Sequence, residues 1–538
     1  MTAPILRVDE LTVSIGRHDI VRGVSFAVEA GGTLGIVGES GSGKSMTVLA
    51  ATGLIDAPGR RVGGSSLLAG ADGTPIQLVD APPKRLRSVH GDRVGFVFQD
   101  PSTSLNPLLT IGRQIAEPLE VHRRMTRRQA AARAVELLEA VGIPNPADRV
   151  DAYPHQLSGG QRQRAMIAIA LACDPALLVA DEPTTALDVT TQAQIIELVR
   201  ALQHNRGTAV VWISHDLGVI GQVADEVTVL RAGRAVEQRP ILDVYERPHD
   251  AYTKELLAAR PRVVAGAGPT PVAGAEPLLE VRQLDVRFSI STPTGRRQIH
   301  AVDDVSFTVR RGTTTAIVGE SGSGKSTVAN VLTRLVEPRS GSATLGGRDV
   351  LHGPRADRRR IAMVFQDPFA SLDPRRTVGD TVEEPLRVHG LAGDSTGRRA
   401  RVEELLGLVD LDPGLRTRYP HELSGGQRQR VSIARALALE PELVILDEAT
   451  ASLDVSIQKR VLALLRRLQE RSGLTFLFIA HDLAIVQEMS HDVVVMQHGR
   501  VVESAPAPEL FADPREDYTR RLLEAVPPEL PRAARAEW

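Results

Sequence analysis

The string IVGESGSGKS occurs twice, at Ile36–Ser45 and at Ile317–Ser326. Other strings recur in the same order. VFQDP occupies Val97–Pro101 and Val364–Pro368, and LSGGQRQR occupies Leu157–Arg164 and Leu423–Arg430. Asp181-Glu182 returns as Asp447-Glu448, and His215-Asp216 as His481-Asp482. Ordered repetition at a period this long is not a solenoid; it marks two fused copies of one domain. The offset is 281 at the first string, 267 at the VFQDP glutamine and 266 from there on. The first copy therefore carries an insertion before that glutamine, and the Gly/Ser/Ala-rich stretch Gly63–Gly73 is its expected place.

The repeat fixes the expected domains as residues 1–257 and 278–538. Between them, AARPRVVAGAGPTPVAGAEP (258–277) is rich in Pro, Gly and Ala without apolar periodicity, which predicts an exposed, partly extended linker. Its length suffices for the two copies to pack face to face.

Within each copy short apolar runs alternate with helical stretches, the pattern of an α/β domain with a parallel sheet. Thr33–Val37 reads as a buried strand, with a helix starting across Thr47–Leu54. Leu177–Ala180, Leu443–Leu446, Ala209–Ile213 and Thr475–Ile479 are further buried strands, the first two ending at the acidic pairs. Thr126-Arg127-Arg128-Gln129 is a capping-box pattern, followed by Ala131, Ala134, Val135, Leu138 and Val141 at helical spacing. Arg123, Arg124, Arg127 and Arg128 read as a solvated helix face, with anionic lipid contact as the lesser alternative.

Composition closes several classes. No window of about 18–20 uncharged apolar residues exists, and the best one, Ala165–Ala180, is broken by Asp174 and Pro175. MTAPILRVDE lacks the basic and apolar regions of a secretory signal, so a cytosolic chain is expected. A net charge of −2 offers no global attraction for nucleic acid. One cysteine, Cys173, excludes an internal disulfide and a cysteine-ligated cluster within one chain. It lies in an apolar stretch and reads as a small core residue.

Gly38, Glu39, Ser40, Gly41, Ser42, Gly43, Lys44 and Ser45 fit G-x4-G-K-[ST] with the strand and helix that motif requires. Gly319, Glu320, Ser321, Gly322, Ser323, Gly324, Lys325 and Ser326 repeat it. The glycines let backbone N–H groups turn toward phosphate at a helix N-terminus. Lys44 and Lys325 supply a point charge, and Ser45 and Ser326 a hydroxyl for Mg²⁺. Only five of the 64 basic residues are lysines, and two of those five stand in these loops. Met46 and Thr327 follow the two serines.

Asp181 and Asp447, at buried strand tips, are candidates for the Mg²⁺ shell. Glu182 and Glu448, one residue on, are candidates to deprotonate attacking water. Gln99 and Gln366 can reach the metal or the water, and His215 and His481 the transferring group. Ser158, Gly159, Gly160 and Gln161, with Ser424, Gly425, Gly426 and Gln427, look like a second anion-binding turn before a helical run. One nucleotide rarely needs two cradles in one domain. The second cradle is therefore expected to serve the nucleotide of the other copy, giving two ATPs between the paired cassettes.

These motifs, in this order and twice, resemble the ATP-binding subunits of ABC transporters over almost the whole chain. The D-loops match as well, at Ala186-Leu187-Asp188 and Ser452-Leu453-Asp454. The resemblance implies tandem cassettes, each a RecA-like parallel-sheet core with an antiparallel β subdomain and a helical signature subdomain. It implies ATP hydrolysis with Glu182 and Glu448 as general bases, driving two separate integral-membrane permease subunits from the cytoplasmic face of the membrane. The family stacks adenine on an aromatic residue; Phe288 matches in the second copy, whereas Ile15 stands there in the first.

Gln99–Pro107 (QDPSTSLNP) and Gln366–Pro374 (QDPFASLDP) resemble the peptide/nickel importer group, as do the tails Ala251-Tyr252-Thr253 and Asp517-Tyr518-Thr519, each followed by paired leucines. This implies an importer of di- or oligopeptides or a related small solute, fed by an extracytoplasmic solute-binding protein. Relatives with an iron–sulfur cluster need more than one cysteine, so no cluster is expected. The alternative is a soluble twin-cassette ATPase acting on ribosomes. That class resembles this chain in its cassettes but has a long charged helical linker, unlike 258–277. DNA-repair and chromosome ATPases need zinc modules or coiled-coil insertions, for which this chain has neither the cysteines nor the length.

Overall fold

The structure, a computed structural model, describes residues 4–184, 187–260, 262–264, 266–270, 272, 274–292, 295–367, 371–450, 453–528 and 531; the side chains of 290–297 are outside that description. Of the motif residues above, Ala186, Pro368, Phe369, Ala370 and Ser452 lie outside the described residues, as do Pro261, Ala265, Pro271 and Ala273 of the linker. The chain forms two compact units: residues 1–187, 191–260 and 527–538, and residues 188–190 with 261–526.

The first unit contains two sheets. Strands β1 (Leu6–Ile15), β2 (His18–Val28), β4 (Arg60–Ala69) and β5 (Pro75–Gln77) form an antiparallel sheet in the order β2-β1-β4-β5. Strands β3 (Thr33–Val37), β6 (Val94–Val97), β7 (Leu177–Asp181), β8 (Ala209–Ser214), β9 (Glu226–Arg231) and β10 (Arg234–Pro240) form the second sheet, β10-β9-β3-β8-β7-β6. It is parallel except for the edge strand β10. The two kinds of sheet follow from the sequence. LRVDELTVSI alternates, so β1 buries Leu6, Val8, Leu11 and Val13 on one face, with a bulge at Glu10 (φ +47). TLGIV is buried throughout, as befits a strand covered on both faces. In β7 the period-2 rule separates the faces. Leu177 and Val179 join the core under the antiparallel sheet, while Leu178 and Ala180 join the helical core.

The second unit repeats this plan. Strands β11 (Pro277–Thr292), β12 (Gly295–Arg310), β14 (Ser340–Leu345) and β15 (Arg348–Asp349) form β12-β11-β14-β15. Strands β13 (Thr314–Val318), β16 (Ile361–Val364), β17 (Leu443–Asp447), β18 (Thr475–Ile479), β19 (Asp492–Gln497) and β20 (Arg500–Pro506) form β16-β17-β18-β13-β19-β20, with β20 antiparallel. Each unit thus has the expected cassette architecture. The helical subdomain is represented by Ile111–Arg123, Arg127–Ala140 and Gly159–Ala170 in the first unit, and by Val378–Val388, Ser395–Leu408 and Gly425–Leu437 in the second.

Four expectations need correction. The first concerns the insertion. Leu6 pairs with Leu68 and Leu279 with Leu345, so Leu68 and Leu345 are equivalent, at an offset of 277. Gly64 (φ +90) and Gly341 (φ +106) form the same bulge, where a Cβ would lie 2.4 Å and 2.6 Å from the carbonyls of Glu10 and Gln283. Gly63–Gly64 is therefore not inserted. The surplus splits between the segment before β4 and the segment after it, which holds β5 and the helix Pro83–Val89.

The second is the start of the first helix, which begins at Lys44 rather than Thr47 because Gly43 in the left-handed region ends the turn. The third is the helix Arg127–Ala140. Its capping box at Thr126 and Gln129 is present, but it buries Ala130, Ala134, Leu137 and Leu138 and leaves Ala131 exposed. Leu137, absent from the expected stripe, shifts the buried face by one position.

The fourth is the linker. Ala258 and Ala259 complete the helix Ala251–Ala259. Further on, Val264 donates its N–H to Gln487 Oε1 at 2.8 Å and accepts from Gln487 Nε2 at 2.6 Å. Val263 packs against the core of the second unit. Val263 is thus half-buried, whereas Val264, Val272 and most other described residues of 262–277 are exposed, as expected of the linker.

Candidate functional site

The carboxyl ends of β3, β6, β7 and β8 lie side by side, where open α/β sheets bind ligands. The sequence hangs one motif on each of these ends: Gly38–Ser45 after β3, Gln99 after β6, Asp181-Glu182 at β7 and His215 after β8.

The Gly-rich loop is sterically specified. Gly38 has φ +155, and a Cβ there would lie 2.2 Å from Leu230 O; at Gly319 it would lie 2.1 Å from Met496 O. Gly43 and Gly324 cap their helices at φ +98 and +103, a conformation that costs other residues about 1 kcal/mol or more. Lys44 and Lys325 are each 6% exposed and fold back over the loop. Lys44 Nζ donates to Gly38 O (2.8 Å) and Glu39 O (3.1 Å). Lys325 Nζ donates to Gly319 O (2.8 Å) and Glu320 O (2.7 Å). Ser42 is buried, and its Oγ has no hydrogen-bond partner among the described residues.

Ser45 Oγ donates to Asp181 Oδ1 at 3.0 Å, and Ser326 Oγ to Asp447 Oδ1 at 3.1 Å. Burial raises the pKa of Asp181 and pushes that of Asp447 up to about 6, with the serine hydroxyls opposing it. A hard cation beside either carboxylate would reverse that shift. Hydroxyl, carboxylate and carboxamide oxygens are the donors Mg²⁺ takes, so these residues fit it.

Glu182 and Glu448 are the centres of their clusters. Gln99 Nε2 donates to Glu182 Oε2 at 3.0 Å, and Gln366 Nε2 to Glu448 Oε2 at 2.5 Å. His215 Nδ1 lies 3.3 Å from Glu182 Oε2, and His481 Nδ1 lies 3.6 Å from Glu448 Oε2. Burial works against charge on both imidazoles, but the adjacent glutamate outweighs it and raises both pKa values. Burial likewise opposes ionisation of Glu448, yet the adjacent His481 imidazole and the Lys325 charge lower its pKa. The carboxylate is therefore held ionised, the form a base requires.

Both glutamates have φ +47, a left-handed conformation uncommon for this residue type, and their N–H groups are fixed to Ile213 O (3.0 Å) and Ile479 O (2.9 Å). Sequence inspection did not find this strain, and no local residue signals it.

The signature segment opens a helix, as expected, but the helix starts earlier than the arginine run, at Gly159 and Gly425. Ser158 and Ser424 are N-caps, and the glycines lie inside the first helical turn with ordinary φ values. Gln161 N donates to Ser158 Oγ, and Ser158 N donates to Gln161 Oε1, a full capping box repeated at Ser424 and Gln427. The S-x-x-Q spacing already carried that signal. Gly160 and Gly426 have a packing role as well. A Cβ there would lie 2.9 Å from Thr191 and 2.6 Å from Ile457.

Phe288 is 39% exposed on β11, opposite Ile299 of β12. Ile15 holds the equivalent end of β1. Cys173 is buried, with its thiol pKa raised by burial, a core residue as expected. Arg123, Arg124, Arg127 and Arg128 are all exposed, the solvated face expected, and Arg123 also pairs with Asp92 at 3.3 Å.

Sequence inspection also passed over a second set of residues. Tyr252 Oη accepts from Glu39 N, and Tyr518 Oη from Glu320 N, both at 3.0 Å. The repeated tail motif contained these tyrosines, but nothing local connects them to a loop more than 190 residues away.

Two α/β units with a phosphate loop, a strand-tip acidic pair and a signature helix define a cassette ATPase. The ABC transporter family matches residues 21–185 and 302–451, and this chain belongs to it, among its ATP-hydrolysing subunits. Residues 236–285 and 502–537 match the oligopeptide/dipeptide transporter C-terminal region. The glutathione import ATP-binding protein GsiA of Pectobacterium atrosepticum is 46% identical over 95% of this chain and 87% of its own length. GsiA of Salmonella typhimurium is 45% identical (95% and 86%), and GsiA of Escherichia coli 44% (97% and 89%). Among solved structures, the cassette MJ0796 bound to ADP and Pi aligns with 43% of this chain and 99% of its own at 29% identity, with a TM-score of 0.39. Among the described residues no helix is long and apolar enough to cross a membrane.

Proposed function

We propose that this chain energises import of glutathione or a short peptide through two separate permease subunits, fed by an extracytoplasmic solute-binding protein. The observation that carries the reading is the pairing of an intact ATPase cluster in each unit with the oligopeptide/dipeptide C-terminal region. It is supported by GsiA relatives that match this chain nearly end to end.

In this reading Gly38–Met46 and Gly319–Thr327 hold the triphosphates, and Lys44 and Lys325 leave their carbonyl partners for phosphate oxygens. Mg²⁺, when bound, neutralises phosphate charge, held by Ser45, Asp181 and Gln99 or by Ser326, Asp447 and Gln366. Glu182 and Glu448 accept the proton of the attacking water. Gln99 and Gln366 orient those carboxylates, His481 helps keep Glu448 ionised, and both His215 and His481 stand ready to hydrogen-bond the transferring group. Ser158–Gln161 and Ser424–Gln427 present helix N-termini to phosphate, and the signature of each cassette serves the nucleotide of the other, so two ATPs are sandwiched. The chain then works at the cytoplasmic face of the membrane without crossing it.

The test is uptake of labelled glutathione and of a labelled dipeptide by cells deleted for this gene. Uptake of one of them should fall and be restored by the parent chain, but not by the Glu182→Gln/Glu448→Gln variant. If uptake of both is unchanged and the chain instead cosediments with ribosomes, the transport reading is wrong.

A further inference from the structure

The functional reading leaves unused the helix that closes each unit. Tyr252, on Ala251–Ala259, and Tyr518, on Asp517–Glu524, are 3% and 6% exposed. Each hydroxyl accepts from the main-chain N–H of the second residue of its Gly-rich loop. The carbonyl of that same residue, Glu39 or Glu320, is bound by the loop lysine. One peptide segment is thus held on both sides, by a tail tyrosine and by the lysine that meets phosphate.

The helix bearing the tyrosine is itself tied down. Glu237 of β10 accepts from His249 N (3.0 Å) and Asp250 N (3.1 Å). Glu503 of β20 accepts from Arg515 N (2.9 Å) and Glu516 N (3.2 Å). Both carboxylates are under 10% exposed. The Arg231 guanidinium additionally covers the Tyr252 ring at 4.7 Å from its centroid. A buried tyrosine hydroxyl needs some partner, and one such bond could be incidental. Here the same loop residue is chosen in both units, by tyrosines in the two segments that match the C-terminal region.

We propose that Tyr252 and Tyr518 are positioning residues for nucleotide binding: each pins the start of its phosphate loop, so that the loop keeps its shape when the lysine turns from the Glu39 or Glu320 carbonyl to a phosphate. The C-terminal region thereby acts as a strap on the ATP site. This rests on the assignment of Gly38–Met46 and Gly319–Thr327 as ATP loops. A preorganised loop binds more tightly because less ordering remains to be done.

The test uses the full chain with Tyr252→Phe and Tyr518→Phe together, which removes two oxygen atoms and keeps both rings. Loss of one hydrogen bond per site should raise Kd and KM for MgATP about fivefold. kcat should stay within about twofold, and the nucleotide-free melting temperature within about 2 °C. Unchanged KM overturns the proposal. So does a KM rise matched by lower nucleotide-free stability. Lys44→Ala/Lys325→Ala is the control: parent-like ATP affinity there would sink the site assignment itself, whatever the tyrosines do.

Discussion

In the first unit His215 lies 3.3 Å and Lys44 3.9 Å from the Glu182 carboxylate, and Gln99 donates to it. In the second unit His481 and Gln366 surround Glu448 in the same way. The acidic ends of the two sites are near copies. At the other end they diverge. Phe288 faces outward on β11 where β1 offers Ile15, and β11 and β12 are 16 residues each against 10 and 11 for β1 and β2. Arg231 covers Tyr252, whereas Gln497 occupies that position before Tyr518. The difference is confined to the strand ends at Phe288 and Ile15 and to the tail support, away from the Glu182 and Glu448 clusters.

The largest effect should fall on what the sites share. Glu182→Gln with Glu448→Gln should lower steady-state ATP turnover about 100-fold or more, since a positioned base contributes that much. ATP binding should stay within about twofold of the parent. The singles should each be impaired, because both clusters are complete; a silent single would break the equivalence of the two sites.

The next effect tests the divergence. Phe288→Ala should weaken ATP binding at the second site by about 1–3 kcal/mol, the range for a base stacked on an aromatic ring. Ile15→Ala should cost far less at the first. Titration with a fluorescent ATP analogue resolves the two sites, and equal losses would show that the bases are not distinguished by these residues.

The smallest effect concerns a shared support. Burial opposes ionisation of Glu237 and Glu503, but the backbone N–H donors at the tail helices outweigh it, leaving both pKa values below their usual 4.5. Their stabilising contribution is complete above pH 4.5 and is lost as pH falls through the lowered folded values. Glu237→Gln/Glu503→Gln should therefore melt lower than the parent near neutrality. The gap should narrow below pH 4.5; a gap constant with pH would exclude the charge as its cause.

The fold and the phosphate end of each site were legible because they are written locally. A strand, a glycine turn and a lysine are contiguous at 33–45, and the alternation of β1 names its buried face without reference to anything distant. The insertion was misplaced because Gly63 and Gly64 look like loop residues but serve a bulge. The docked part of the linker, the packing of Gly160 on Thr191 and the tyrosine bonds were illegible for one reason. Each depends on a partner that only the fold brings near.

The left-handed main chain at Glu182 and Glu448 has a consequence for variation of the protein. The conformation is unfavourable by about 1–3 kcal/mol at each site, and glycine would remove much of that strain. The same change would delete the carboxylate proposed as the base. If the proposed base role holds, selection for thermal robustness alone would be drawn toward two positions whose substitution removes activity, so libraries screened for stability need an activity filter at 182 and 448.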